Sequence, residues 1–144
     1  MSDPRAAVLV DTINAKYATL QIDDSTITYL ATVAGGSASV GKAVKMSAVN
    51  TVALATDGSA VTGKLLKVES DNFALVQVGG GMTLPGGDSA TLTAGKKVVG
   101  AINAQSAGGY IREVNTGAAG ELGLARGFTV DGTTDPTAAA VYLD

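Results

Sequence analysis

Apolar and turn-forming positions alternate most clearly as a hairpin in residues 61–85, VTGKLLKVESDNFALVQVGGGMTLP. Two runs rich in Val, Leu and Phe flank Glu69-Ser70-Asp71-Asn72, a turn-forming cluster, so the pattern predicts a β-hairpin. A two-residue loop at Asp71-Asn72 would set Lys67 against Val76. A longer, odd-numbered loop pairs Val68 with Val76 and Leu66 with Val78. That register collects four apolar side chains on one face and leaves Lys67 beside Gln77 on the other, so it is the one predicted. Gly79-Gly80-Gly81 predicts a stop to the second strand and a flexible connection beyond it.

From Val40 onward, short β-prone runs recur about every 8 to 12 residues between turn signals, the spacing of a small sandwich or barrel. Strands are expected near 42–47, 52–55, 62–69, 73–78, 90–93, 97–103, 110–115, 122–129 and 139–143, with Asp57-Gly58, Gly86-Gly87-Asp88, Gly108-Gly109, Gly117-Ala118 and Asp131-Gly132 between them. Residues 1–30 form a separate first section, an arm or packing segment, ahead of a β-rich body at 31–144. Ser2-Asp3-Pro4 suits a helix start, and Ala6, Leu9, Val10, Ile13 and Tyr17 follow at helical spacing, which predicts a helix over 4–15. Val8, Val10 and Thr12 suit an extended chain instead, and a partly ordered arm is a third reading. Thr26-Ile27-Thr28-Tyr29-Leu30 is expected as a strand. The small-residue stretch 34–39 is the expected boundary or flexible loop.

Composition narrows the chemistry. The chain has 144 residues, 46% of them apolar, enough for one domain with a core. Only 4% are aromatic, so that core must be aliphatic, and 19 glycines against 3 prolines indicate many tight turns. Net charge is −3 and no basic run interleaves with aromatics, which argues against nucleic acid as a partner. With no Cys and no His, disulfides, thiolate catalysis, Ser-His-Asp catalysis and the usual transition-metal sites are excluded. No run reaches the roughly 18 apolar residues of a membrane-spanning helix. The first residues do not resemble a cleaved leader, so the chain is expected to work without export.

Few motifs suggest a reaction. Gly36–Lys42 and Gly58–Lys64 each fit the first seven positions of a phosphate-binding loop, but Ala43 and Leu65 follow where Ser or Thr should stand, and no helix is expected after either. Glycine-rich composition accounts for both. The carboxylates lie mostly beside turn residues, and no calcium-loop pattern is present, so no cofactor is expected. Along Tyr110-Ile111-Arg112-Glu113-Val114 the alternation puts Tyr110, Arg112 and Val114 on one face. Tyr and Arg are favoured in protein interfaces, although a half-exposed strand with a snorkelling Arg is the equal alternative. The apolar tail around Tyr142 predicts a closing strand, in the chain's own barrel or on a neighbouring subunit. Arg5, Leu9, Ile13 and Tyr17 in the first section, with Tyr110, Arg112 and Tyr142, are the candidate partner-binding residues.

Residues 61–80, Leu84-Pro85-Gly86-Gly87 and Gly95-Lys96-Lys97-Val98-Val99-Gly100-Ala101 together resemble the capsid cement, or head decoration, proteins of tailed bacteriophages. The resemblance spans roughly residues 40–130 and rests on the order of strands and turns. It implies a mainly β, barrel-like or β-tulip-like body of short antiparallel strands with an N-terminal arm. It also implies a homo-oligomer, trimer or dimer, on the outer capsid surface of the virion, gripping the major capsid protein and stabilising the shell. Residues 1–30 would be the gripping arm. Two alternatives remain. One is another viral or surface β-module: a head-fibre base, a tail component or a carbohydrate-binding domain. The other is a carboxylate-based hydrolase.

Overall fold

A computed structural model describes residues 14–88, 90–115, 117, 120–131 and 138–143. The elements among them are β1 (Lys16–Ile22), a 3-10 turn at Ala34–Gly36, β2 (Ala43–Ala48), β3 (Thr51–Leu54), β4 (Gly63–Val68), β5 (Phe73–Pro85), β6 (Val98–Ala101), β7 (Tyr110–Glu113), the single turn α1 (Glu121–Leu124), β8 (Phe128–Asp131) and β9 (Ala138–Leu143). The fold is mainly β, a small single-domain sheet structure with a ring-like part.

The β4–β5 hairpin forms, but neither of the two considered registers holds. The Glu69 N–H donates to Phe73 O at 2.8 Å and the Asn72 N–H donates back to Glu69 O at 3.0 Å. This closes a three-residue loop, Ser70-Asp71-Asn72, whose last residue takes φ +64°, and the Asp71 carboxylate accepts the Phe73 N–H at 3.2 Å. Val68 then faces Ala74 and Leu65 faces Val76, with Leu66 extra between the two pairings. A bulge reverses the side-chain alternation. It lets Leu65 and Val68, which would otherwise point to opposite faces, both enter the core, and the buried face is Leu65, Val68, Ala74 and Val76. The expected partners Leu66 and Val78 are only half-buried.

The glycine run does not end the second strand. β5 continues through Gly79, Gly80 and Gly81 to Pro85 for 13 residues, and all three glycines are buried. Gly80 takes φ +91°, a conformation that lets the strand bend where a side-chain-bearing residue would be strained. The buried Gln77 side chain secures the bend. Its Nε2 donates to Gly79 O at 3.3 Å and to Gly81 O at 2.9 Å.

That bend gives β5 two sets of neighbours. Its first half lies between β4 and β1, and the order β1-β3-β2-β4-β5 closes because β1 also pairs with β5. Its second half pairs with β9, and β9 with β8. Backbone bonds between Thr129 and residues 95–96, and between Arg126 and Val98, join the β8 segment to β6. β6 pairs with β7, and Ile111 of β7 bridges to Gly86–Gly87 at the end of β5. Two rings therefore share one strand. Each encloses its own core. Ile22, Ile27, Val44, Val52, Leu65, Val68, Ala74 and Val76 fill the first. Met82, Leu84, Leu92, Val98, Ile111, Ala139, Val141 and Leu143 fill the second, joined by Ala43, Ala55 and Val61. Each fully buried Leu, Ile, Val or Met contributes about 1.5–3 kcal/mol of transfer free energy.

Several expectations need correcting. The expected helix at 4–15 lies, up to residue 13, outside the described residues, while Asn14 and Ala15 are not helical. Lys16–Ile22 is a strand of the first ring, and Ile22 and Ile27 belong to its core, so residues 16–30 pack with the body. Residues 26–30 are not a strand. The Asp23 carboxylate accepts the backbone N–H groups of Ser25, Thr26 and Ile27 and both hydroxyls of Ser25 and Thr26, which turns the chain there. Residues 90–93 bury Ala90 and Leu92 without forming a strand. Over 122–129 the chain makes the α1 turn first and joins a strand only at Phe128.

The close approach of β4 to β5 makes a prediction. A Cβ on Gly63 would stand 2.0 Å from Gln77 O, a backbone atom that cannot move without opening the ladder, whereas one on Gly123 of α1 would meet nothing within 4 Å. Gly63→Ala is expected to destabilise by about 1–3 kcal/mol, and Gly123→Ala to leave stability unchanged or raise it by up to about 1 kcal/mol. Urea denaturation midpoints at constant slope measure both.

Candidate functional site

The two Gly-Lys pairs that imitate phosphate loops end at one place. Lys42 immediately precedes β2, and Lys64 lies in β4 opposite Ala43. They line a cleft of about 360 Å³ together with Val40 and Gly41, Thr83 and Pro85 of β5, and Tyr110 of β7. The Lys42 ammonium stands 5.5 Å from the centroid of the Tyr110 ring, a cation–π arrangement. Asn103 Nδ2 donates to the Tyr110 hydroxyl at 3.4 Å. A phosphate cradle is not formed. The Val40 and Lys42 N–H groups donate to Ser37 O and Ser39 O, that of Gly41 to Leu65 O, and no helix follows. What the cleft offers is side-chain cations, a hydroxyl and an aromatic ring.

A second cluster surrounds Arg112. Its guanidinium meets Glu121 twice, Nη1 to Oε1 at 2.5 Å and Nη2 to Oε2 at 3.0 Å, and its Nε donates to Asp57 Oδ1 at 2.9 Å. Glu121 Oε1 also accepts the Asn115 N–H at 2.7 Å. The Arg112 bonds, then the Asn115 N–H, hold the buried Glu121 carboxyl below its ordinary value of 4.5 against the opposing effect of burial. Hydrogen bonding to Glu121 in turn raises the Arg112 pKa, against burial, with Asp57 adding to it. Arg126 clamps backbone. Its Nη1 donates to Thr62 O at 2.7 Å and to Val61 O at 3.3 Å, and its Nη2 to Val78 O. Both arginines tie loops to the rings.

Two groups of apolar side chains stay at the surface. Tyr17 of β1, 54% exposed, shares the outer face of the β1–β5 ladder with Phe73 and Leu75. Near the other ring, Phe128 of β8, 46% exposed, stacks on Tyr142 of β9 with ring centroids 5.5 Å apart, and Leu122, Leu124 and Val130 are exposed on the same stretch of chain. The Tyr142 hydroxyl accepts a bond from Asn14 Nδ2 at 3.1 Å.

The candidate partner-binding residues thus fall into different settings. Arg5, Leu9 and Ile13 lie outside the described residues. Tyr17 is exposed, Tyr142 is half-buried against Phe128, Tyr110 lines the cleft, and the Arg112 guanidinium is held within the chain by two carboxylates. Lys42, Lys64, Phe128 and Glu121 were not among the candidates. The repeated Gly-Lys signal pointed to the first two. Nothing local in the sequence marks the Glu121–Arg112 pair, which joins α1 to β7. Comparison with known proteins returns no matching family model, no matching curated protein and no matching solved structure.

The Arg112 cluster predicts a pH dependence. Glu121 and Asp23 both have folded-state pKa values below their ordinary 4.5 and 3.8. For Asp23, burial raises the value, but bonds from Thr26, Ser25 and the N–H groups of Thr26 and Ile27 outweigh it. Their contribution to stability is complete above the ordinary values and is lost as pH falls through the lower folded ones. Glu121→Gln keeps the shape and removes the charge, and is expected to cost about 1–3 kcal/mol at neutral pH. The gap from the parent protein should narrow as pH falls below the ordinary value of 4.5 and close once it has passed the lower folded value. Urea unfolding at stepped pH tests this, and a pH-independent gap would contradict it.

Proposed function

We propose that this chain is a structural virion protein that binds the outside of a phage capsid, as a homo-oligomer, and cements adjacent capsomers of the major capsid protein. Two supports meet here. The residues that resemble cement proteins, 61–80 with Leu84–Gly87 and Gly95–Ala101, supply the β4–β5 hairpin, the end of the shared strand and β6. The observation that carries the reading is the apolar surface held on ordered strands: Phe128 stacked on Tyr142, and Tyr17, Leu75 and Phe73 along one outer face of the β1–β5 ladder. Grouped apolar side chains at a surface favour contact with another protein. Repetition over a lattice makes modest contacts sufficient, because each additional site acts at a high effective concentration. The hydrolase alternative asks for a carboxyl with a raised pKa, and Glu121 is shifted the opposite way.

The test is add-back to mature shells prepared without this protein. It is expected to co-sediment with them in a fixed ratio to the major capsid protein and to raise the temperature at which they release DNA. Phe128→Ala and Tyr17→Ala are each expected to weaken shell binding by about tenfold, the effect of removing an anchoring aromatic from an interface. Failure of the parent protein to co-sediment would overturn the proposal.

A further inference from the structure

We infer that the cleft between β2, β4, β5 and β7 binds an acidic segment of a protein partner, with the Lys42 and Lys64 ammonium groups as the recognising charges and Tyr110 as the wall behind them. The inference is separate from the cement reading, and its test uses no shell.

Three observations carry it. First, the cleft is built by the sheets. Lys42 lines it from the start of β2 and Lys64 from β4, and Thr83 and Tyr110 come from strands of the second ring. Second, its charge is unbalanced. Among the described residues no carboxylate lines it and neither lysine has an ion-pair partner, in a chain whose net charge is −3. A cationic spot guides the approach of negative charge.

Third, the geometry separates the possible anions and uncharged ligands. The N–H groups of Val40, Gly41 and Lys42 are committed to Ser37, Leu65 and Ser39, so the backbone cannot wrap a phosphate. The Lys42 ammonium lies over the Tyr110 ring, on the face a sugar would use for stacking. Point-charge ammonium groups on flexible stems suit single carboxylates reaching in from a peptide. The cleft, at about 360 Å³, is large enough for such side chains.

The experiment is fluorescence anisotropy with a fluorescein-labelled hexaglutamate peptide at low ionic strength, with hexaglutamine, ATP and maltohexaose as comparators. Amide chemical-shift mapping on the parent protein accompanies it. Hexaglutamate is expected to bind, with affinity falling as salt is added. Lys42→Met and Lys64→Met should each weaken it about two- to fivefold, and the double variant should weaken it more than either. Lys96→Met with Lys97→Met removes the same charge from exposed positions outside the cleft and should change little. Shifts are expected at Val40, Gly41, Thr83 and Tyr110. The mapping uses parent protein, so it decides the matter even if a lysine variant fails to fold. No binding, shifts confined to other residues, equal loss in both double variants, or tighter binding of ATP or maltohexaose in the cleft would each overturn the inference.

Discussion

Strand β5 can serve two rings only because it bends without losing its backbone pairing. Three consecutive glycines provide the bend, with Gly80 at φ +91°, and the Gln77 side chain holds the carbonyls of Gly79 and Gly81. The requirement is strict because the bend is buried. An unpartnered carbonyl there would cost about 1–3 kcal/mol, so a polar side chain inside the protein becomes favourable. The two aliphatic cores follow from this arrangement. Ala74 and Val76 enter the first ring and Met82 and Leu84 the second, all from one continuous strand.

With few aromatic residues and no disulfide or metal-binding cysteine, the structure relies on arginines to fasten its loops. Arg126 reaches the carbonyls of Val61, Thr62 and Val78, tying the approach to β4 and the first half of β5 to the segment that enters β8. Arg112 joins β7 to α1 through Glu121 and to the Asp57 turn. A planar guanidinium with several donors can hold three backbone carbonyls or two carboxylates at once, which a lysine cannot. The lysines are left for the surface and the cleft. This division explains why Arg112, a candidate interface residue by its residue type and alternation, is an internal brace, while Lys42 and Lys64 face the cleft.

Much of the fold was legible where the signal was local. Turn residues and β-branched runs located β2, β3, β4, β6, β7 and β9 to within a few positions. The signal failed where a distant partner decided the outcome. Strict alternation predicted Leu66 and Val78 in the core, but the bulge at Leu66 satisfies two strands on either side of β4 and changes the face. The glycine run looked like a terminator because its local propensity is poor. It is a strand because β1, β9 and Gln77 surround it. Thr26–Leu30 had strand composition, yet Asp23, three positions before Thr26, captured the backbone donors. The Asp-Asp-Ser-Thr sequence at 23–26 carried that turn signal, and β-propensity masked it.

The same contrast bears on the surface. A side chain that stabilises its own fold is constrained by its neighbours, whereas Tyr17, Phe73, Leu75 and Phe128 are placed outward by strands whose inner faces already fill the cores. Alternation alone forces every second residue of these strands outward, but it does not force that residue to be aromatic or leucine. On β1 the outward neighbours of Tyr17 are Thr19 and Gln21, polar as a solvated face requires, while across the ladder Phe73 and Leu75 are not. Exposed aromatic side chains on ordered strands lose little conformational freedom on contact, so they are efficient anchors for a partner surface. The shared strand thus links interior and exterior: residues of β5 that alternate with its core positions, Phe73 and Leu75, carry apolar side chains onto its outer face.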